Sequence, residues 1–239
     1  MQYFGGKARI SKELSHFMNS ELKEGQAFYD VFCGSCNIIS KIEGTRPRVA
    51  NDLHEELIEL FKYLQLGGEL PDSVSEAEYA DIKKNGALWL KAFVGFGSSF
   101  AGKYFGGYAR GDKPNYCATA KRGLLKKMET LSGVLFTNCD YSLLELSHKS
   151  AMLYCDIPYK ASVGYSVGAF DHEKFYLWAS ERQAEGHAVL ISEYENNVPA
   201  GCEIVWRKES SKDIRNAAGQ REGTSEVLFK PLVLQAAGG

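Results

Sequence analysis

Apolar runs of strand length alternate with amphipathic stretches along most of this chain, and the two periods separate strands from helices. Residues 26–32 (QAFYDVF) form an apolar run of strand length that enters a Gly/Ser/Cys turn and then an apolar segment, predicting strand, loop and helix start. Residues 48–52 (RVAND) read as a second short strand, and Leu53, Leu57, Ile58, Leu60, Phe61 and Leu64 follow at helical spacing. The opening is therefore a βαβα unit. The same alternation resumes later, with strands at 134–137 and 152–155, a helix over 172–185, and strands at 188–192, 203–206 and 226–229. Strands alternating with helices predict an α/β fold with a mostly parallel, Rossmann-like sheet covered on both faces. The two closely spaced strands at the end predict an antiparallel hairpin closing it.

Between these two blocks the pattern changes. From Gly67 a Gly-Gly pair and Pro71 lead into a polar helix candidate and then a basic, aromatic-rich stretch. This predicts an inserted, mainly helical subdomain over 67–132, a catalytic domain made of 1–66 and 133–234, and a tail at 235–239. The net charge of −2 argues against a nucleic-acid partner until its distribution is considered. Lys83, Lys84, Lys91, Lys103, Arg110, Lys113, Lys121, Arg122, Lys126 and Lys127 fall in one stretch whose only acid is Asp112. Trp89, Phe93, Phe96, Phe100, Tyr104, Phe105, Tyr108 and Tyr116 are interleaved with them, a combination that suits phosphate contacts and base stacking. Phe93, Phe96 and Phe100 are expected in the insertion's own core. Lys103, Tyr104, Arg110 and Lys113, near several glycines, are expected on a mobile loop facing nucleic acid.

With 239 residues, 44% hydrophobic and 24% charged, the chain is long enough for a substantial core and close to globular averages. No apolar run is long enough to span a membrane and no signal pattern opens the chain, so a cytoplasmic location is expected. The six cysteines lie mostly in apolar runs and are expected to be reduced. Cys33 and Cys36 form a CxxC without a second pair to complete a metal site, and are read as small residues packed in a turn.

Three strand ends carry chemistry. In an open α/β sheet, ligands collect beyond the carboxyl ends of the strands. The first end is Asp30 to Asn37 (DVFCGSCN), and the second is Asn51-Asp52, at roughly the 20-residue spacing from which an acid reaches ribose hydroxyls. Together they suggest an adenosine-containing cofactor. The third delivers Asp156-Ile157-Pro158-Tyr159. An aromatic amino group is a poor nucleophile, because its lone pair is delocalised into the ring. Acceptors for its N–H groups, here the Asp156 carboxylate and the carbonyl of residue 157, offset the positive charge that develops during attack on an electrophilic methyl. Tyr159 offers a face on which an extruded base stacks. His172 is read as a helix-start residue beside Asp171, and Ser192-Glu193-Tyr194 as a strand end near the same site.

These motifs, in this order, resemble the Dam-type family of DNA adenine N6-methyltransferases, in a phage-like form with DIPY in place of DPPY. Tyr3, Phe4, Gly5, Gly6 and Lys7 are similar to its N-terminal motif, which contacts cofactor and active site. Asp30, Phe32, Cys33, Gly34, Ser35, Cys36 and Asn37 are similar to its cofactor loop, and Asn51, Asp52 and Leu53 to its ribose-binding segment. Asp140 and Tyr141, within Asn138-Cys139-Asp140-Tyr141, resemble the pair beside the cofactor adenine. Asp156, Ile157, Pro158 and Tyr159 are similar to the catalytic motif, with Asp156 also near the cofactor. The resemblance implies S-adenosylmethionine as donor, DNA as partner, no metal, and target recognition by the insertion through Lys91, Lys103, Tyr104, Tyr108, Arg110, Lys113, Lys121 and Arg122, with Lys160 beside the catalytic motif. Two departures stand out. Cys36 replaces the family's second loop glycine, and Ile157 replaces the first proline, where only the backbone carbonyl is expected to act. Pro158 still keeps residue 157 extended. The rival readings are methylation of an amino group on RNA or protein, and a weakly catalytic DNA-binding module.

Overall fold

A computed structural model describes residues 7–110, 115–158, 170–215 and 221–232, with side chains omitted at 210–215 and 221–224. Tyr3, Phe4, Gly5, Gly6, Lys113, Tyr159, Lys160 and the 235–239 tail lie outside the described residues.

Five strands run parallel: β1 (Ala27–Asp30), β2 (Arg48–Asn51), β3 (Val134–Thr137), β4 (Ala151–Asp156) and β5 (Ala188–Tyr194). The last two, β6 (Glu203–Arg215) and β7 (Arg221–Lys230), form an antiparallel hairpin, and β7 pairs antiparallel with β5. The order is β3-β2-β1-β4-β5-β7-β6. The chain thus moves outward from β1 to β3 and returns to start again at β4. The crevice between β1 and β4 is the switch point where such sheets bind ligands.

Both faces of the sheet are covered, which is why its strands read as continuous apolar runs. Phe28, Ala50, Met152, Tyr154, Leu190 and Leu228 point into one core, and Tyr29, Val49, Leu153, Cys155, Val189, Ile191 and Phe229 into the other. The second core is closed by α6 (His172–Ala184), through Phe175, Trp178 and Ala179, and its first turn is capped by Asp171, which accepts from Lys174 N at 3.0 Å.

The first core is covered by α1 (Ser11–Glu21) and α2 (Glu55–Gln65), and by the helices of the insertion, α3 (Glu76–Asn85), α4 (Leu88–Gly97) and α5 (Tyr116–Thr130). Phe93, Val94, Phe96, Cys117 and Leu124 belong to the same cluster as Phe28 and Met152. The insertion therefore shares one core with the sheet. Within this stretch, Gly95 lets the 104–105 segment pack onto α4, since a Cβ there would lie 2.5 Å from the Tyr104 ring.

Three expectations are corrected. No α-helix follows the first loop: a tight turn, a 3-10 segment at Ile39–Lys41 and Pro47 carry the chain directly into β2. Phe100 is 74% exposed, because α4 stops at Gly97 and the helical period that would have buried it ends there. The closing hairpin is far longer than its apolar segments, with register shifts at Ile204/Trp206 and Glu209/Asp213. Helix α1, unforeseen, buries Leu14 and Met18, one turn apart.

Candidate active site

At the end of β4, Asp156 is held by Lys7, whose Nζ lies 3.0 Å from Asp156 Oδ1 and 3.7 Å from Glu226 Oε2. Lys7 is buried, and its carbonyl accepts from Ile10 N and Ser11 N, so the entry to α1 fixes it. Register explains how Glu226 arrives: Asp156 pairs with Ser192 across β4 and β5, and Tyr194 with Glu226 across β5 and β7. Burial pushes the Asp156 carboxyl up, Lys7 pulls it back down, and Glu226 raises it further. The Tyr194 hydroxyl is likewise raised by burial and by Glu226.

Asp30, at the end of neighbouring β1, is buried and held well above the carboxylate range by desolvation and then by Asp156. Its Oδ2 accepts from Ile39 N at 3.3 Å, while Oδ1 is buried with no hydrogen-bond partner among the described residues. Adjacent carboxylates shielded from water disfavour joint ionisation and favour a cation beside them.

Beyond Asp30 the loop is bound on several sides. Gly34 N donates to Asp52 Oδ2 at 2.8 Å, His54 N donates to Asp52 Oδ1 at 2.9 Å, and Cys36 N donates to Cys33 O at 2.7 Å. Burial raises the Asp52 carboxyl, and these two backbone donors pull it back. Cys33 and Cys36 are both buried free thiols in this turn, as expected. Cys36 adopts φ 57°, the left-handed region that favours glycine, which accounts for the family's usual residue there. Asn51 is buried and joins three strand ends: its Nδ2 donates to Val31 O and Cys139 O, and its Oδ1 accepts from Thr137 Oγ1 and Cys139 N. Leu53 is half-exposed beside them.

Asp140 accepts from Ser142 N at 2.9 Å and Tyr141 is buried, its ring 5.8 Å from Phe32 and 5.2 Å from Phe175. The Ile157 side chain is also buried, in the core against α6. His172 Nε2 donates to Pro158 O at 2.8 Å and so fastens the segment after β4 to α6. The sequence placed His172 at a helix start, which it is, without this bond. Glu226 carried no signal until the sheet order was known.

The basic residues of the insertion separate into two groups. Arg110 pairs with Glu76, and Lys121 with Asp72 at 2.7 Å while also donating to Leu70 O. Tyr108 OH donates to Val74 O at 2.7 Å, and Tyr104 OH to Glu56 on α2. Lys103 and Arg122 are exposed and Lys91 is half-buried. A groove of about 1050 Å³ lies elsewhere, by the amino end of β2, lined by Lys12, His16, Lys41, Arg48 and Trp206 among others. It is at the wrong end of the sheet for the site above. Among the described residues no group of three or more acids, histidines or cysteines is arranged for a metal, and no helix is long and apolar enough to cross a membrane.

Residues 3–89 match the sequence profile of the D12 class N6 adenine-specific DNA methyltransferases. The match agrees with the resemblance read from the motifs over that span, which is about a third of the chain and holds Lys7, the Asp30–Asn37 loop and Asp52. The family consists of S-adenosylmethionine-dependent enzymes, and methyl transfer is the activity it supports. No curated protein sequence matches the chain. Among solved structures the chain is similar to yhhF of Escherichia coli, assigned as a methyltransferase, at 11% identity and a TM-score of 0.43, over 96% of this chain and 88% of that one. It is also similar to HI0767 of Haemophilus influenzae, assigned as a methylase, at 11% identity and 0.38, over 94% and 97%, and to Trm5b of Pyrococcus abyssi at 11% and 0.38, over 96% and 50%.

Proposed function

We propose that this methyltransferase transfers a methyl group from S-adenosylmethionine to N6 of adenine in DNA, with Asp156, Ile157, Pro158 and Tyr159 as its catalytic segment. The observation that carries the reading is the contact between Lys7 and Asp156, which joins the first and last motifs of the family at the switch point of the sheet. The donor is a cation, and the site suits one: Asp30 offers a buried acceptor atom without a partner among the described residues, next to the partly buried carboxylate of Asp156. Asp30, the Phe32–Asn37 loop, Asp52 and Asp140 would hold it, with Asn51 and Tyr141 shaping the pocket from behind.

Bound, the donor supplies an electrophilic methyl on a sulfonium. The chain's own task is to make the amino nitrogen attack it. Asp156, kept oriented by Lys7, accepts one N–H, and the Ile157 carbonyl accepts the other, so the nitrogen lone pair is released from the ring as positive charge develops. Pro158 keeps residue 157 extended, and the His172 bond to Pro158 O fixes where that segment points. Tyr159 stacks on the extruded base, and the exposed cations Lys103 and Arg122, with Lys91, Tyr104, Tyr108, Arg110, Lys113, Lys121 and Lys160 nearby in sequence or fold, contribute to the DNA surface. Residues 67–132 serve as the recognition segment. A cytoplasmic location fits such a partner.

The test is incubation with methyl-labelled S-adenosylmethionine and duplex DNA, followed by nucleoside analysis. N6-methyldeoxyadenosine is the expected product. Label appearing only in RNA or protein would replace this reading with its rival.

A further inference from the structure

The insertion also reaches into the cofactor loop. Lys127, in the last turn of α5, donates from Nζ to Ser35 O at 2.6 Å and to Asn37 Oδ1 at 2.7 Å. Lys41 Nζ donates to Asn37 O at 2.7 Å, so Asn37 is gripped on its side chain and on its backbone. The end of α5 is fastened as well, since Arg48 donates to Thr130 O and Ser132 O at 2.9 and 2.7 Å. On the other side of the loop Asp52 holds Gly34 N.

Burying a lysine is costly, and packing alone would favour an apolar residue at this place. Burial pulls the Lys127 amine down to about 8. Two short charge-assisted bonds offset it. A loop fixed before its ligand arrives does not lose further freedom on binding.

Building on the proposed function, we propose that Lys127 is a positioning residue for S-adenosylmethionine: from the insertion it fixes Ser35–Asn37, so the segment assigned to the target also sustains affinity for the donor.

The experiment is calorimetric titration of the full chain with S-adenosylmethionine, for the parent, Lys127→Met, Asn37→Ala and the double variant. Losing charge-assisted bonds to two acceptors is expected to weaken Lys127→Met by about tenfold. The double variant should be no weaker than the weaker single variant, because both remove one contact. At saturating donor, kcat of Lys127→Met should stay within about twofold of the parent while KM for the donor rises. A variant that is merely less stable would not show this split or this non-additivity. If Lys127→Met is unfolded by circular dichroism, Lys127→Gln takes its place in the same cycle. Parent-like affinity in Lys127→Met, or losses that multiply in the double variant, would overturn the assignment. A parent chain that binds no S-adenosylmethionine would instead bring down the functional reading beneath it.

Discussion

Replacing Lys7 by methionine removes a cation that lies between two partly buried carboxylates while keeping most of the side chain's bulk. Asp156 and Glu226 are 22% and 19% exposed in the pair, so screening by solvent is incomplete. At an effective dielectric near 20, a charge pair at 3.0 Å is worth roughly 5 kcal/mol before desolvation is subtracted. Breaking a buried pair from one side costs about 3–5 kcal/mol, and partial exposure places this case at or below the lower end. The sharper consequence is for ionisation. Lys7 opposes the burial that pushes Asp156 up, and Glu226 already adds to that push, so the variant holds Asp156 higher still. A nearby opposite charge moves a carboxylate's titration by roughly one to three pH units. The acceptor role requires the ionised form, so activity is lost as pH falls and is lost at higher pH in the variant. The assay is the rate of methyl transfer from pH 5 to 9 at saturating donor. The acid limb of Lys7→Met should lie at least about one pH unit above the parent's. Superimposable profiles with parental kcat would show that Lys7 neither holds nor polarises Asp156.

Three further outcomes follow from particular residues. Cys36→Gly relieves a left-handed residue worth about 1–2 kcal/mol but removes a fully buried thiol, so urea midpoints and donor affinity should stay close to the parent. A loss above about 2 kcal/mol would give the thiol a role of its own. Ile157→Pro keeps the carbonyl but trims a buried side chain by about one carbon, so stability should drop by roughly 1 kcal/mol with kcat nearly kept; a collapse of kcat would show that the backbone carbonyl is not the whole of its function. His187 is buried with Nδ1 accepting from Ala151 N at 3.2 Å, and burial lowers its pKa below 6.5. The unfolded chain therefore binds the proton first, and stability falls as pH drops below 6.5, by at most about 1.4 kcal/mol per pH unit from this group. Denaturant midpoints measured from pH 7.5 to 5.5 should show a slope that flattens in His187→Gln.

The parallel strands were legible because both faces are buried, and a four-residue apolar run such as 134–137 has few other uses. The outer half of the closing hairpin was not, since residues 208–215 are polar and alternate nothing. Helix α1 carried a readable signal in Ile10, Leu14 and Met18, four residues apart, that the strand-centred reading passed over. Within the site, Asp30, Asp52 and Asp156 declared themselves by standing at strand ends. Glu226, His172 and Lys127 did not. Glu226 reaches Lys7 only through the β4-β5-β7 register, and Lys127 looked like one more surface cation until α5 was folded back onto the loop. Arg110 and Lys121, which read as free cations, are each paired with an acid, Glu76 and Asp72.

The central claim is that Asp156 accepts from the reacting amine, and single-turnover methyl transfer to duplex DNA by Asp156→Ala tests it most directly. Donor binding is measured on the same sample so that loss of chemistry is separated from loss of the cofactor. The account predicts a fall of at least ~10²-fold in rate, by analogy with removal of one preorganised partner of a transition state, while the protein remains folded and still binds S-adenosylmethionine. A variant that forms N6-methyldeoxyadenosine at close to the parental rate would contradict it.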